Sequence, residues 1–140
     1  MNNINLGRVL LGGLLAGLVI NIGEFVLNEV IFGTEMKAFL RTHNFAQPGG
    51  SFIAIAVGLT FVLGIVIVLT YALIRPRIGP GVKTAIVAGL LAWFAVYVYI
   101  GIINGVVLSI PSNVLLIGLV WGLVEYVAGA IAGAWAYKEV

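Results

Sequence analysis

Three of the five glutamates in this 140-residue chain, Glu24, Glu29 and Glu125, lie inside long apolar stretches, and aspartate is absent. A carboxylate at the centre of a bilayer costs about 2.5–3.5 kcal/mol on insertion scales, so it should face protein or water rather than lipid. Two carboxyls brought together in a low dielectric repel each other and are poorly solvated. At least one of such a pair should keep its proton near pH 7. The chemistry open to them is reversible uptake of a proton or small cation. The same groups can also serve as an interhelical hydrogen-bond knot that holds a bundle together.

Asn21, Thr60 and Tyr97 are the side chains best placed to complete such a layer. At 100° per residue, Gly13, Gly17, Asn21, Glu24 and Asn28 share one stripe of the first apolar stretch. Gly118, Gly122, Glu125, Gly129 and Gly133 share one stripe of the last. Small residues at four-residue spacing let helix backbones approach closely. If the two stretches run antiparallel with equal rise, residues at one depth have numbers summing to roughly 145. Glu125 then lies opposite about Asn21, and Glu24 opposite Trp121 and Gly122. Thr60 and Tyr97 fall within about 5 Å of that depth, which lies roughly 18–24 Å from the cytoplasmic edge. The candidate layer is therefore Asn21, Glu24, Thr60, Tyr97 and Glu125. Asn28 and Glu29 fall near the outer interface, where they can meet water.

Other chemistry finds no footing. Cysteine is absent, and the single histidine, His43, lies outside every apolar stretch, so an axial imidazole or a Cys/His metal site is not expected. No nucleophile–base pair, phosphate loop or dinucleotide fingerprint occurs. We expect no cofactor, no metal and no enzymatic activity. A net charge of +2, spread along the chain, gives no reason to expect nucleic acid.

The elements that must carry these residues follow from composition. Hydrophobic residues make up 62% and charged residues 9%, against about 45–50% and about 25% in soluble domains. Four windows exceed the ~20 residues needed to cross hydrocarbon, at about residues 6–32, 52–74, 84–108 and 114–137. The expected fold is all-α, a single integral membrane domain over residues 1–140 built as a four-helix transmembrane bundle. The first window is much longer than the 7–15-residue apolar core of a signal peptide and ends without a small-x-small site, so we expect it to be retained.

Between the first two spans, GTEMKAFLRTHNFAQPGG is the one long polar stretch. Thr34 is a candidate N-cap there. Met36, Phe39, Leu40 and His43 recur opposite Glu35, Lys37 and Arg41, which predicts an amphipathic helix over about 34–45 lying in the membrane interface. The spacing also places all four prolines between spans, where a missing N–H costs least. Arg8, Arg75, Arg77, Lys83 and Lys138 would lie on one side and Lys37 and Arg41 on the other. The positive-inside rule then puts both termini in the cytoplasm, of a bacterial inner membrane. Trp135, Tyr137 and Tyr71 fit an inner aromatic belt.

GLVINIGEFV (Gly17–Val26) aligns without gaps to GLVWGLVEYV (Gly118–Val127), placing Glu24 over Glu125. An inverted repeat and a coincidence of Gly, Leu and Val usage are both open readings. The layout, with a first span that runs through Ile31-Phe32-Gly33 into an outer amphipathic segment, resembles small bacterial four-helix membrane proteins, a domain of unknown function. That resemblance implies topology without an activity. In size and helix number the chain is also similar to small multidrug-resistance transporters, which use one first-helix carboxylate. This chain departs from them in its long first loop, its second buried glutamate and a Glu24 nearer the outer end, so their site is not carried over.

Two functional expectations result. One is a non-catalytic accessory or self-associating subunit, a homo-oligomer or part of a larger membrane complex, favoured by nineteen glycines and little extramembrane mass. The other is a small proton- or cation-coupled transporter or channel using Glu24 and Glu125.

Overall fold

A computed structural model describes residues 3–137. The described residues form helices and turns with no strand. Four helices are long and apolar enough to cross a membrane: Leu6–Ile31, Gly50–Ile78, Val82–Val107 and Ser112–Ala136.

The first span opens as α1 (Leu6–Phe25), capped by Asn5, whose Oδ1 accepts from the Arg8 backbone N–H at 3.1 Å. It then widens into a π-helical segment, Val26–Ile31. The short α2 (Gly33–Thr42) follows. It begins one residue before Thr34, with Phe32 at the capping position and no side chain closing the turn. Thr34 is therefore inside the first turn rather than the cap. Met36, Phe39 and Leu40 are half-buried while Glu35, Lys37 and Arg41 are exposed. His43 departs from that apolar face, being exposed and resting on the Phe39 ring at 4.3 Å. Lys37 ties α2 back to the π segment through Glu29 at 3.6 Å, an exposed pair.

The second span, α3 (Gly50–Ile78), runs four residues beyond the expected Ile74 and takes Pro76 inside its last turn. The expectation that every proline lies between spans fails here. The physical reason is position: so close to the end, Pro76 forfeits one ladder bond, to the Ala72 carbonyl. Arg75 and Arg77 meanwhile sit at the negative end of the helix dipole. Gly79 then turns at φ 102°, its N–H reaching the Arg75 carbonyl, a left-handed termination suited to glycine. The Gly81 N–H donates to the Tyr71 hydroxyl at 3.1 Å, fastening the turn to the bundle.

The third span departs most from a plain helix. It consists of α4 (Val82–Trp93), a π-helical segment (Phe94–Gly101) and α5 (Ile102–Val107). The fourth is a single helix, α6 (Ser112–Ala136).

Packing arranges the spans as a ring in which α1 lies between α3 and α6, and α4 lies against α6 and, less extensively, α3. Glycine permits each close approach. On α1, Gly13 and Gly17 meet Ile65, Phe61 and Gly64 of α3, while Gly12 and Ala16 meet Gly133 and Gly129 of α6. The expected antiparallel register is present in those last pairs. The expected single stripe on α1 is not: Gly13 and Gly17 face α3, whereas the neighbouring residues face α6. An α-helix turns 100° per residue, so adjacent positions on a helix wedged between two partners serve different neighbours. The core is correspondingly made of small and branched side chains, with Ala16, Ile20, Val68, Ala85, Ala88 and Ala130 nearly inaccessible. The α2-ward half of α3 is different, with Phe52, Ile53, Ile55 and Leu59 all well exposed.

Candidate functional site

Glu24 sits at the last turn of α1, where the helix is about to widen. Asn28, four residues on, donates its amide to the Glu24 carbonyl at 2.8 Å and to Glu24 Oε2 at 3.1 Å. One side chain thus covers both a backbone acceptor near the change of helical register and the carboxyl beside it. The other carboxyl oxygen, Oε1, accepts the Tyr97 hydroxyl at 2.6 Å. Tyr97 lies in the second π-helical segment. The hydrogen bond therefore joins the last α-helical turn before the first π-helical segment to a residue inside the second, and π-bulges occur frequently at functional sites.

Glu125 approaches from α6. It is 5% exposed, and neither carboxyl oxygen has a hydrogen-bond partner among the described residues. Its carboxyl lies against the backbone of Gly23, where an added Cβ would stand 2.6 Å from Oε2. Glu24 is close enough for its charge to act on Glu125. Indole and phenol groups close the surroundings. The Trp121 Nε1 donates to the Gly23 carbonyl at 3.0 Å, and the Tyr126 ring meets that of Tyr97 edge-on at 5.3 Å. Gly122 admits Tyr97, since a Cβ there would lie 2.5 Å from its ring. Trp93 Nε1 bonds the Leu119 carbonyl at 2.8 Å, anchoring the third span to α6 one turn away.

Of the five residues expected to form a layer, Glu24, Tyr97 and Glu125 come together. Asn21 turns to α3 instead, its amide 3.5 Å from the Val57 carbonyl. Thr60 bonds back to the Ala56 carbonyl of its own helix at 2.8 Å. Thr60 has only its depth to place it, and depth does not fix the face; Asn21 shares a stripe with Gly13 and Gly17, and that stripe faces α3. Asn28, expected near water, is exposed yet serves the carboxyl. Gly23 and Trp121 complete the site. The antiparallel ruler brought Trp121 opposite Glu24, but nothing in the sequence marked its indole as a backbone donor.

The arrangement can hold a proton or a cation between two inequivalent carboxyls, one supplied with donors and one bare. Among the described residues no three acidic, His or Cys side chains gather to hold a metal. A separate concavity of about 440 Å³ lies between α2 and the turn before α6, lined by Phe32, Met36, Phe39, Pro111 and Val114 among others. It shares no residue with the carboxyl cluster. Comparison with protein-family models, curated proteins and solved structures finds no match to this chain.

Proposed function

We propose that this protein is an integral membrane protein that exchanges a proton or small cation at the Glu24–Glu125 pair. The observation that carries this reading is Glu125, a buried carboxyl beside Glu24 and Trp121 to which no side chain among the described residues donates in hydrogen-bonding geometry. A purely structural knot gains its stability from satisfied donors and acceptors, and leaving a buried carboxyl bare forfeits that gain. Such a group is retained more readily where its partner is a mobile proton or ion. The charge distribution supports an orientation with both termini cytoplasmic: Arg8, Arg75, Arg77 and Lys83 lie toward the end opposite α2. The amphipathic α2, with Met36, Phe39 and Leu40 on one face, would then rest in the outer interface.

A reagent that enters lipid tests the reading. In native membranes, the protonated Glu125 carboxyl should add to an apolar carbodiimide, its proton passing to a carbodiimide nitrogen as its oxygen bonds to the central carbon, with slower labelling as pH rises or as a competing cation is added. Absence of labelling at every pH would mean a sealed, non-exchanging carboxyl.

A second reading, a self-associating or accessory subunit without transport, is favoured by the α2-ward half of α3. There Phe52, Ile53, Ile55 and Leu59 are exposed and Gly58 has nothing within 4 Å, leaving a helix face open to another chain or to lipid. The size of the assembly in mild detergent, and the identity of any companions, tests it.

A further inference from the structure

We infer that the ligand of this site is a proton and that Glu125 is the residue that carries it, with Glu24 as the hydrogen-bonded partner of the pair. The inference deepens the exchange reading above and rests on it. It starts from the unequal supply of donors. Both oxygens of Glu24 are met, one by the Tyr97 hydroxyl and one by the Asn28 amide. A neutral carboxyl would use such donors poorly, because one of its oxygens carries its own hydrogen; a carboxylate accepts at both. Among the described residues no donor meets either oxygen of Glu125 in hydrogen-bonding geometry, the neighbouring Trp121 indole N–H being directed to the Gly23 carbonyl. The carboxyl is 5% exposed and lies against the Gly23 backbone. The ionisable groups acting on it are acidic or phenolic: Glu24 directly, with Tyr97 and Tyr126 beside them. No cationic side chain is among them. An ionised Glu125 would stand unpaired in the interior, whereas a neutral one has the Glu24 carboxylate as its nearest charged neighbour.

A metal cation fits less well. Hard cations gather about six or more oxygens at about 2.0–2.6 Å. This place offers the carboxyl oxygens of Glu24 and Glu125 and the phenols of Tyr97 and Tyr126, and both Glu24 oxygens and the Tyr97 hydroxyl are already engaged in hydrogen bonds. A proton needs one acceptor only.

The roles of the neighbours follow. Tyr97 and Asn28 are positioning residues that hold Glu24 in place through one hydrogen bond to each of its oxygens. Transfer inside the pair would break the O–H bond at Glu125 and form one at Glu24, leaving Glu125 a carboxylate without a donor. Release from Glu125 instead requires water entering at the pair, which accepts the proton as the O–H bond breaks and donates hydrogen bonds to the carboxylate left behind. Gly23, having no Cβ, is what lets the Glu125 carboxyl lie against α1.

Infrared spectroscopy of the full chain in lipid, with glutamate carboxyls isotopically labelled, reads the proton directly. At neutral pH, wild type should show a protonated-carboxyl C=O band of one group per chain. Glu125→Gln should abolish it, and Glu24→Gln should keep it. A band that survives Glu125→Gln and vanishes in Glu24→Gln would put the proton on Glu24 and overturn the assignment. No band in folded wild type would overturn it as well, even if both variants failed to fold, and a band that then appears on removing sodium would identify a cation as the ligand. A band at Glu125 without carbodiimide labelling would leave the proton's place standing and remove the exchange reading alone.

Discussion

The Tyr97 hydroxyl donates to Glu24 Oε1 at 2.6 Å, joining the third span to the first across 73 residues of chain. Those two spans otherwise scarcely touch, since α1 packs on α3 and α6 while α4 packs chiefly on α6. The bond thus crosses the ring of helices, from the end of α1 to the π-helical segment of the third span. Glu125, the third member, arrives from the helix that lies between them.

Tyr97→Phe isolates that bond. The ring that fills the space over Gly122 stays, and the hydroxyl is lost. Hydrogen bonds to charged groups contribute about 1.5–3 kcal/mol, so unfolding in graded denaturing detergent should shift by roughly that amount. Tyr99→Phe, at an exposed phenol of the same segment, should leave the transition in place. Equal shifts in the two variants would contradict the role given to the Tyr97 hydroxyl.

Gly23→Ala tests the approach of Glu125 to α1. The added methyl would stand 2.6 Å from Oε2 and 2.7 Å from Cγ of Glu125. Overpacking of this kind costs about 1–3 kcal/mol. Shortening the neighbour with Glu125→Ala should recover part of the loss, giving a non-additive double-mutant cycle. Gly58→Ala, where nothing lies within 4 Å, should be neutral or mildly stabilising. Additive losses at Gly23 and Glu125 would mean that the two do not meet.

The four spans were legible in the sequence because length and hydropathy alone set them, and the Gly12–Gly133 register followed from small residues on two antiparallel helices. Glu24 and Glu125 could be paired on the same ruler. Which way Asn21 and Thr60 point could not be read. The second span is apolar on every side and carries no amphipathic signal to fix the rotation of Thr60, while the stripe of the first span does not say which of two neighbouring helices it meets, and Asn21 faces the Val57 carbonyl of α3. The π-helical segments were equally hidden. Phe94-Ala95-Val96-Tyr97-Val98-Tyr99-Ile100-Gly101 has the composition of any membrane helix, and a wider backbone register has no residue code of its own. Pro76 misled for the opposite reason, being a strong stop signal that the last helical turn tolerates.

Topology has its own check. Single cysteines replacing Gly79, in the turn after α3, and Gln47, before it, should react with an impermeant thiol reagent from opposite sides of the membrane, Gln47→Cys from outside. Labelling of both from one side would contradict the orientation with cytoplasmic termini and the crossing of the second span.

The most direct test of exchange at the carboxyl pair is proton flux in liposomes carrying the purified protein and a trapped pH dye. After an imposed pH step, wild type should dissipate the gradient. Glu125→Gln should hold it like empty liposomes while keeping the helical content and assembly size of wild type. Glu29→Gln, at an exposed carboxyl paired with Lys37, should behave as wild type. A wild-type protein that leaves the gradient intact, or a Glu125→Gln variant that dissipates it at the wild-type rate, would contradict the account.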